Sequence, residues 1–416
     1  MEALITQVQT LASTADETGR KKLLDALRDV QYSLETPYDT LQRLSYLHLQ
    51  IAGARLGIDL TLFEALAGNE NPLGVDELAK NIQRSARAPG RNPDLSQGRI
   101  LRYLASIGML KETGKDEFTA NNITRVLANT NYQGGMHHYF DTVGPIFLEL
   151  PNYLAETKYK NITDNGKTVI QKAYNIDLPG FIWFPSQPKR FAYFQQVMTV
   201  QRAGAPDWLS VFPVEKEVGS WSAQPYKALF VDIDGGFGHQ CLAFRAKYPK
   251  LPGRMVLQDI PQTLEHVPPI EGVEVMVQNF FEPQAIKGES KLPWNPRLVS
   301  FPSPYRSADD ILGAKFYYLR NILHDYPDDK CIAILRNLAS AMDEDSRILI
   351  DDMVLPNTGV HWQAAQLDLT MMAALGSVER TEEQWYALMK SAKLRILQIH
   401  TYTTSLQDSV IVAVPQ

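Results

Sequence analysis

Residues 231–240 read VDIDGGFGHQ, with two acids, Asp232 and Asp234, ahead of Gly235, Gly236 and Gly238. The stretch continues an apolar run, KALFVDI (227–233), of the type that forms a buried strand. A glycine turn after such a strand lets the backbone approach a ligand without Cβ clashes. It also opens a helix whose N–H groups face that ligand. The dinucleotide pattern G-x-G-x-x-G is incomplete here, because Cys241 stands in place of the third glycine. A purely structural tight turn is therefore the alternative reading of these residues.

The next apolar run ends LQDIP and places Asp259 21 residues after Gly238, about where an acid holds a pair of ribose hydroxyls. A third run ends VQNFF, in which Asn279 offers an amide to an adenine and Phe280 an aromatic wall beside it. A ribose acid and an adenine ledge, without a pyrophosphate-grade glycine helix, suit a nucleoside. S-Adenosyl-L-methionine is such a ligand. Its sulfonium and ammonium charges favour nearby carboxylates, which points to Asp232 and also to Asp234.

These residues need a scaffold. From residue 226 short β-branched and aromatic runs alternate with amphipathic stretches. Strands are expected at 227–233, 254–260, 273–279, 314–320, 346–354, 394–402 and 409–415, the last two as an antiparallel pair. This describes an α/β domain with a seven-stranded, doubly wound, Rossmann-like sheet over residues 226–416. KLPWNPRLVSFPSPYRSADDIL, residues 291–312, reads as a surface insertion, and RSARAPGRNPDLSQG (84–98) as a loop.

The front half reads as helical. Residues 40–66 carry apolar side chains at three- and four-residue spacing, and Ile100, Leu101, Leu104 and Ile107 share a face. A small hairpin in KETGKDEFTANN completes a winged-helix pattern, so residues 1–125 are expected to form a helical winged-helix domain. Residues 126–225 are expected to be a helical linker that contributes to a substrate pocket.

Winged helices often bind DNA. A net charge of −6 and the isolated Arg99 and Arg102 argue against a nucleic-acid partner and against an anionic membrane surface. Two cysteines, Cys241 and Cys331, make no disulfide framework, and no Cys/His set has metal-ligand spacing. With no signal-peptide core and no apolar run of about 18 residues, the expectation is a cytoplasmic protein with neither metal nor membrane.

The blocks VDIDGGFGH, LQDIP, NFF, YYLRNILHDYPDDKC, LIDDMVLP and VERTEEQW together resemble the class I S-adenosylmethionine-dependent O-methyltransferases of the plant caffeic-acid type, and most closely the branch found in fungal secondary metabolism. The resemblance spans roughly residues 40–416. It implies a homodimer formed through the N-terminal domain and a small phenolic or polyketide-like substrate. It also implies that His324 is the catalytic base, flanked by Asp352 and Glu379. Asp259 becomes the ribose ligand, Asn279 and Phe280 the adenine pair, and Arg320 a basic residue near the cofactor. Met198 matches a methionine that sandwiches the acceptor ring, and His137, His138 and Asp325 join it as substrate-side candidates. Five positions depart from the family pattern. Asp352 stands for the usual Glu, Asn279 for the usual Asp, Arg320 for a residue that is often Lys, Tyr326 for the Trp of the plant pattern, and Asp234 for the first glycine of the turn.

The chemistry is consistent with those residue types. A phenol near pKa 10 is scarcely ionised at neutral pH. An imidazole takes its proton as the C–O bond forms, worth about 10²–10⁴-fold, and a carboxylate on the far ring nitrogen supports the imidazolium. Two enzymatic readings follow. One is methyl transfer to a phenolic or enolic hydroxyl. The other is a methyltransferase-like pericyclase or dehydratase, which binds the cofactor without consuming it and directs ring closure of a pyridone-type substrate. A winged-helix regulator is the third reading.

Overall fold

The computed structural model describes residues 1–84, 98–219, 221, 227–286 and 313–416. Most of the loop at 84–98 and the whole insertion at 291–312 lie outside the described residues. The chain divides into two compact units, Met1–Lys160 with Val169–Gly204, and Asn161–Thr168 with Ala205–Gln416.

The first unit is helical. Helices Glu2–Thr14, Glu17–Leu34 and Pro37–Ser45 bury none of their residues. Behind them a winged-helix core forms around Leu62, Phe63, Leu78, Ile82, Leu101, Leu104 and Phe118. Its small sheet runs β1 (Leu73–Gly74), β3 (Glu117–Thr119), β2 (Lys111–Gly114). The expected hairpin is present, and Asp116 turns it with a left-handed backbone, a conformation that Asp tolerates better than most residues. The expected linker 126–225 is not a compact unit of its own. Apart from 161–168 its residues pack with the first unit as far as Gly204, and the remainder with the second. Tyr174 shows why: its hydroxyl donates to the carbonyls of Asp141 and Thr142 within the first unit.

The second unit holds a seven-stranded sheet of β4 (Ala228–Ile233), β5 (Arg254–Asp259), β6 (Val273–Val277), β7 (Phe316–Arg320), β8 (Arg347–Met353), β9 (Leu394–Thr401) and β10 (Asp408–Pro415). The spatial order is β6-β5-β4-β7-β8-β10-β9. β4 through β8 are parallel, and β10 is antiparallel to both β8 and β9. Every residue of β4 is buried, as a central parallel strand covered on both faces requires. On one face Trp208 packs against Phe230, Phe244 and Tyr318. On the other, Ile334, Leu335 and Leu338 of helix Asp328–Ala339 join Trp385 in a single core. The strand order reverses between β4 and β7, so their carboxyl ends form the switch point where open α/β sheets bind ligands.

Trp385 links that core to the end of β8, because its indole N–H donates to Met353 O at 2.8 Å. Trp385→Phe removes this donor and leaves a buried carbonyl unpaired. The unfolding free energy should fall by about 1–3 kcal/mol, read as a lower urea midpoint; an unchanged midpoint would show that the bond contributes nothing.

Candidate active site

At the end of β4 the chain passes from buried Asp232 into the glycine turn. The backbone at Asp234 is left-handed, with φ 56°. Glycine adopts this conformation freely, and Asp and Asn are its usual substitutes, so the acid is accommodated where the sequence pattern calls for glycine. Gly235 has no such latitude. A Cβ there would lie 2.5 Å from both Asp232 Cγ and Leu257 Cδ1. Gly238 then begins helix His239–Lys247 with φ 74°.

Asp259, at the end of β5, holds the turn. One carboxylate oxygen accepts the Gly236 N–H at 2.9 Å and the other accepts the Ile260 N–H at 2.7 Å. Each oxygen keeps a lone pair for a further donor, as a ribose diol requires. Burial pushes Asp232 up to about 7, with nearby Asp259 adding to the effect. The Asp234 residue is exposed to solvent. Its carboxyl is nevertheless held well above the usual range, first by the protein packed around it, then by Asp259, Asp325 and Asp232. A cationic ligand stabilises the ionised form of such a group of acids. The turn thus fits a sulfonium nucleoside, which Asp232, Gly236 and Asp259 would hold.

The adenine candidates are arranged less simply. Phe280 is buried in the core and packs on Phe281 and Tyr326. Phe281, which the sequence pattern did not single out, is the ring of the pair that reaches solvent. Asn279 Oδ1 accepts the Phe281 N–H at 3.0 Å and so shapes the turn after β6.

β7 ends at Arg320, and the next residue, Asn321, is left-handed, with its N–H bonded to Asp351 O at 3.1 Å. That reversal leads into a single turn, Leu323–Asp325, which carries His324. His324 Nδ1 lies 2.7 Å from Glu379 Oε1, and Nε2 lies 3.4 Å from Asp325 Oδ1. Glu379 is positioned in turn by its backbone N–H, which donates to Asp368 Oδ1 at 2.9 Å.

Burial is the largest influence on the His324 ring and disfavours its charge. The charges of Glu379, Asp325 and Asp352 overcome it and raise the imidazole to about 10. The acids around the ring thus favour its imidazolium form. Asp352 differs from the expectation that it orients His324 directly. It is buried near the pair, but neither of its carboxylate oxygens has a hydrogen-bond partner. Its side chain is one methylene shorter than the usual Glu. Burial, reinforced by Glu379 and Asp351, pushes it up to about 8. Burial likewise raises Asp325 to about 6 against the pull of His324.

Arg320 pairs with buried Asp351 at 3.5 Å, and the same carboxylate accepts Tyr318 and Tyr402 hydroxyls at 2.5 and 2.6 Å. Those two tyrosines were not legible as site-supporting residues, since they stand on separate strands and loops. Arg380 was also missed, although it adjoins Glu379.

In the first unit the two adjacent histidines have different surroundings. His137 is buried, stacks on Tyr193 at 4.2 Å and contacts Asp141 at 3.3 Å. Burial and then Arg55 lower it, with Asp141 opposing them, and the arrangement is that of a structural histidine. His138 begins a π-helical turn, His138–Val143, and its ring sits among Tyr139, Phe184 and Phe194. Its Nδ1 is buried without a partner, and burial lowers the ring to about 4, so it is neutral. Met198 is partly exposed near the end of helix Pro188–Val200.

A doubly wound sheet with an acid–base pair and a nucleoside turn meeting at its switch point is the architecture of the class I methyltransferases. Residues 305–395 match the O-methyltransferase domain model. The chain is 42% identical to "O-methyltransferase lepI" of Aspergillus flavus, over 99% of this chain and 98% of the relative. It is 40% identical to "Demethylsterigmatocystin 6-O-methyltransferase" of Aspergillus parasiticus, over 100% of this chain and 98% of the relative. Among solved structures it resembles "A Pericyclic Reaction enzyme" with a TM-score of 0.87 and 41% identity, covering 100% of this chain and 99% of that one. LepI in complex with S-adenosylmethionine gives a TM-score of 0.86 at 41% identity, covering 100% and 98%. The chain belongs to the S-adenosylmethionine-dependent O-methyltransferase family, in company with enzymes of fungal secondary metabolism. Among the described residues no helix is long and apolar enough to cross a membrane, and no His, Cys, Asp or Glu group is arranged to hold a metal.

The Asp352 carboxyl, raised from 3.8 to about 8, binds more protons in the folded than in the unfolded chain between those values. It therefore lowers stability progressively as pH rises through that window. Asp352→Asn cannot ionise and should melt higher than the parent above about pH 8, with the gain vanishing below about pH 4. Thermal melts across pH read this directly, and a pH-independent difference would contradict it. Gly235→Ala should abolish donor binding in calorimetry, since the new methyl displaces Asp232 or Leu257; unchanged binding would mean that the turn yields freely.

Proposed function

We propose that the protein transfers the methyl group of S-adenosylmethionine to a phenolic or enolic hydroxyl of a planar secondary metabolite, with His324 as general base. The observation that carries this reading is the 2.7 Å His324–Glu379 pair on the turn that leaves β7, next to the strand that leads into the glycine turn. Bound donor supplies an electrophilic methyl on a sulfonium centre. His324 Nε2 takes the hydroxyl proton as the acceptor oxygen bonds to the methyl carbon and the C–S bond breaks. The positive charge passes from sulfur to imidazolium, where Glu379 stabilises it. For this the ring must first be neutral. A nearby sulfonium favours that form, because like charges disfavour each other.

Asp232, Gly235, Gly236, Gly238, Asp259, Asn279 and Phe280 are assigned to the donor, with Arg320 supporting them from its pair with Asp351. In the first unit His138, a neutral acceptor in an aromatic cage, suits recognition of a flat hydroxylated ring. Met198 is kept as a second substrate contact. Residues 1–125 are assigned to homodimerisation. Leu4, Ile5, Leu11, Leu24, Val30, Leu34, Leu41 and Leu44 are all exposed on helices that bury nothing within the chain. Such a surface suits a stable interface of more than about 1,000 Å². Light scattering should give twice the 46.9 kDa chain mass, and a monomer at micromolar concentration would remove the assignment.

One observation favours the second reading. The His324 ring has a carboxylate beside each nitrogen, Glu379 at 2.7 Å and Asp325 at 3.4 Å, and such a setting favours the doubly protonated ring. An imidazolium beside a bound cofactor could polarise a substrate carbonyl for dehydration and ring closure, with the methyl never consumed. Incubation with methyl-labelled donor and candidate phenols separates the two. Methyl transfer yields labelled product, and His324→Gln should slow it about 10²–10⁴-fold at nearly constant donor affinity. An isomerised or dehydrated product with intact donor would replace the first reading by the second. Asp259→Ala should weaken donor binding by about 1–3 kcal/mol in either case.

A further inference from the structure

We propose that Arg380 is the positioning residue that sets the catalytic turn against Glu379, and that its guanidinium fixes the proton affinity of His324 through that geometry. The inference rests on His324 as the acid–base group of the proposed function. Arg380 and Glu379 are neighbours in VERTEEQW, and their side chains hold the same turn in two different ways. Glu379 binds the His324 ring. Arg380, only 1% exposed, binds the backbone on either side of it. Its Nη1 donates to Leu323 O at 2.8 Å and its Nη2 to Tyr326 O at 3.0 Å. Nε and Nη2 also grip Asp328 Oδ1 at 3.0 and 2.8 Å, at the start of helix Asp328–Ala339. A rigid planar fork can bridge three acceptors that an ammonium group cannot reach together.

The base of this clamp is itself tied to the sheet. Leu355, just beyond β8, donates its N–H to Arg380 O at 3.0 Å and accepts the Glu382 N–H at 3.0 Å. Below the guanidinium the Trp385 ring lies 5.4 Å from Cζ, a cation–π contact. Cys331 Sγ, 3.3 Å from Nη2, closes the remaining side. Leu323 O and Tyr326 O bracket His324 and Asp325, so displacement of either carbonyl moves the ring relative to Glu379 Oε1. The five N–H donors of a buried arginine could be satisfied by many arrangements of acceptors. This one spends two donors on the backbone of the turn that carries the base.

The test compares Arg380→Lys and Arg380→Ala with the parent enzyme and with His324→Gln, following whichever product the parent forms. His324→Gln identifies the limb of the pH–kcat profile that belongs to His324. In both Arg380 variants that limb should move acidward by about one unit or more, because a looser Glu379 contact stabilises the imidazolium less. The plateau kcat should fall about 10–100-fold while the donor KM stays within about twofold. Guanidinium chloride at tens of millimolar should restore part of the Arg380→Ala rate, and urea at the same concentration should not. A limb that stays in place in folded Arg380→Lys, with only the melting temperature lowered, would overturn the proposal. If Arg380→Ala does not fold, Arg380→Lys decides alone. A parent profile with no His324-dependent limb would remove the reading of His324 instead.

Discussion

Acids buried at the carboxyl ends of β4, β5 and β8 are the constraint on which the rest of the second unit depends. Asp232, Asp259, Asp351, Asp352 and Glu379 are all buried. The basic side chains near them are Arg320 beside Asp351, His324 beside Glu379, and Arg380, whose charge acts on Asp352. Burial alone would neutralise such carboxylates. Asp259, Asp351 and Glu379 are given specific donors, respectively backbone N–H groups, tyrosine hydroxyls and an imidazole, whereas burial raises Asp232 and Asp352 toward the neutral form. The parallel strands supply the rigidity, and β7, which lies between β4 and β8, leads into the turn that carries His324 between the two groups of acids. A strand register moved by one residue would turn Asp232 and Asp351 to the opposite faces of the sheet.

The exceptions within this pattern have a functional sense. Asp352 has no partner and Asp234 is crowded by other acids. Both disfavour their own ionisation, and a cationic ligand in the glycine turn would relieve Asp234. The free protein thus stores unfavourable electrostatics at the turn and favourable electrostatics at His324. Binding of a sulfonium would change the two in opposite directions, easing the acids and discharging the imidazolium. Coupling of this type would let donor binding prepare the base.

Much of this was legible in the sequence. The seven strands fall within one or two residues of the β-branched runs that announced them, and the glycine turn, Asp259 and the His324–Glu379 pair followed from motif order. Other features were not legible, for physical reasons. A lone arginine in VERTEEQW shows nothing of the two carbonyls it faces, because those lie more than fifty residues away in the chain and only the fold assembles them. The difference between Asp352 and a family Glu is visible as a letter, but its consequence is a distance. His137 and His138 are adjacent, and one step along a helix turns a side chain by about 100°. One ring therefore meets Asp141 and the other an aromatic cage. Phe280 is expected as an aromatic wall beside an adenine, but the pattern NFF does not show which of its two rings enters the core.

The central claim is that His324 is charged in the free enzyme and discharged by the donor. Histidine-selective ¹⁵N NMR across pH measures this directly, with the His324→Gln spectrum assigning one of the eight histidines. The account predicts a ring that titrates well above the ordinary value of about 6.5 in the free protein and falls when S-adenosylmethionine binds. S-Adenosylhomocysteine, which lacks the sulfonium, should lower it less. A His324 that titrates near the ordinary value and ignores the donor would contradict the account.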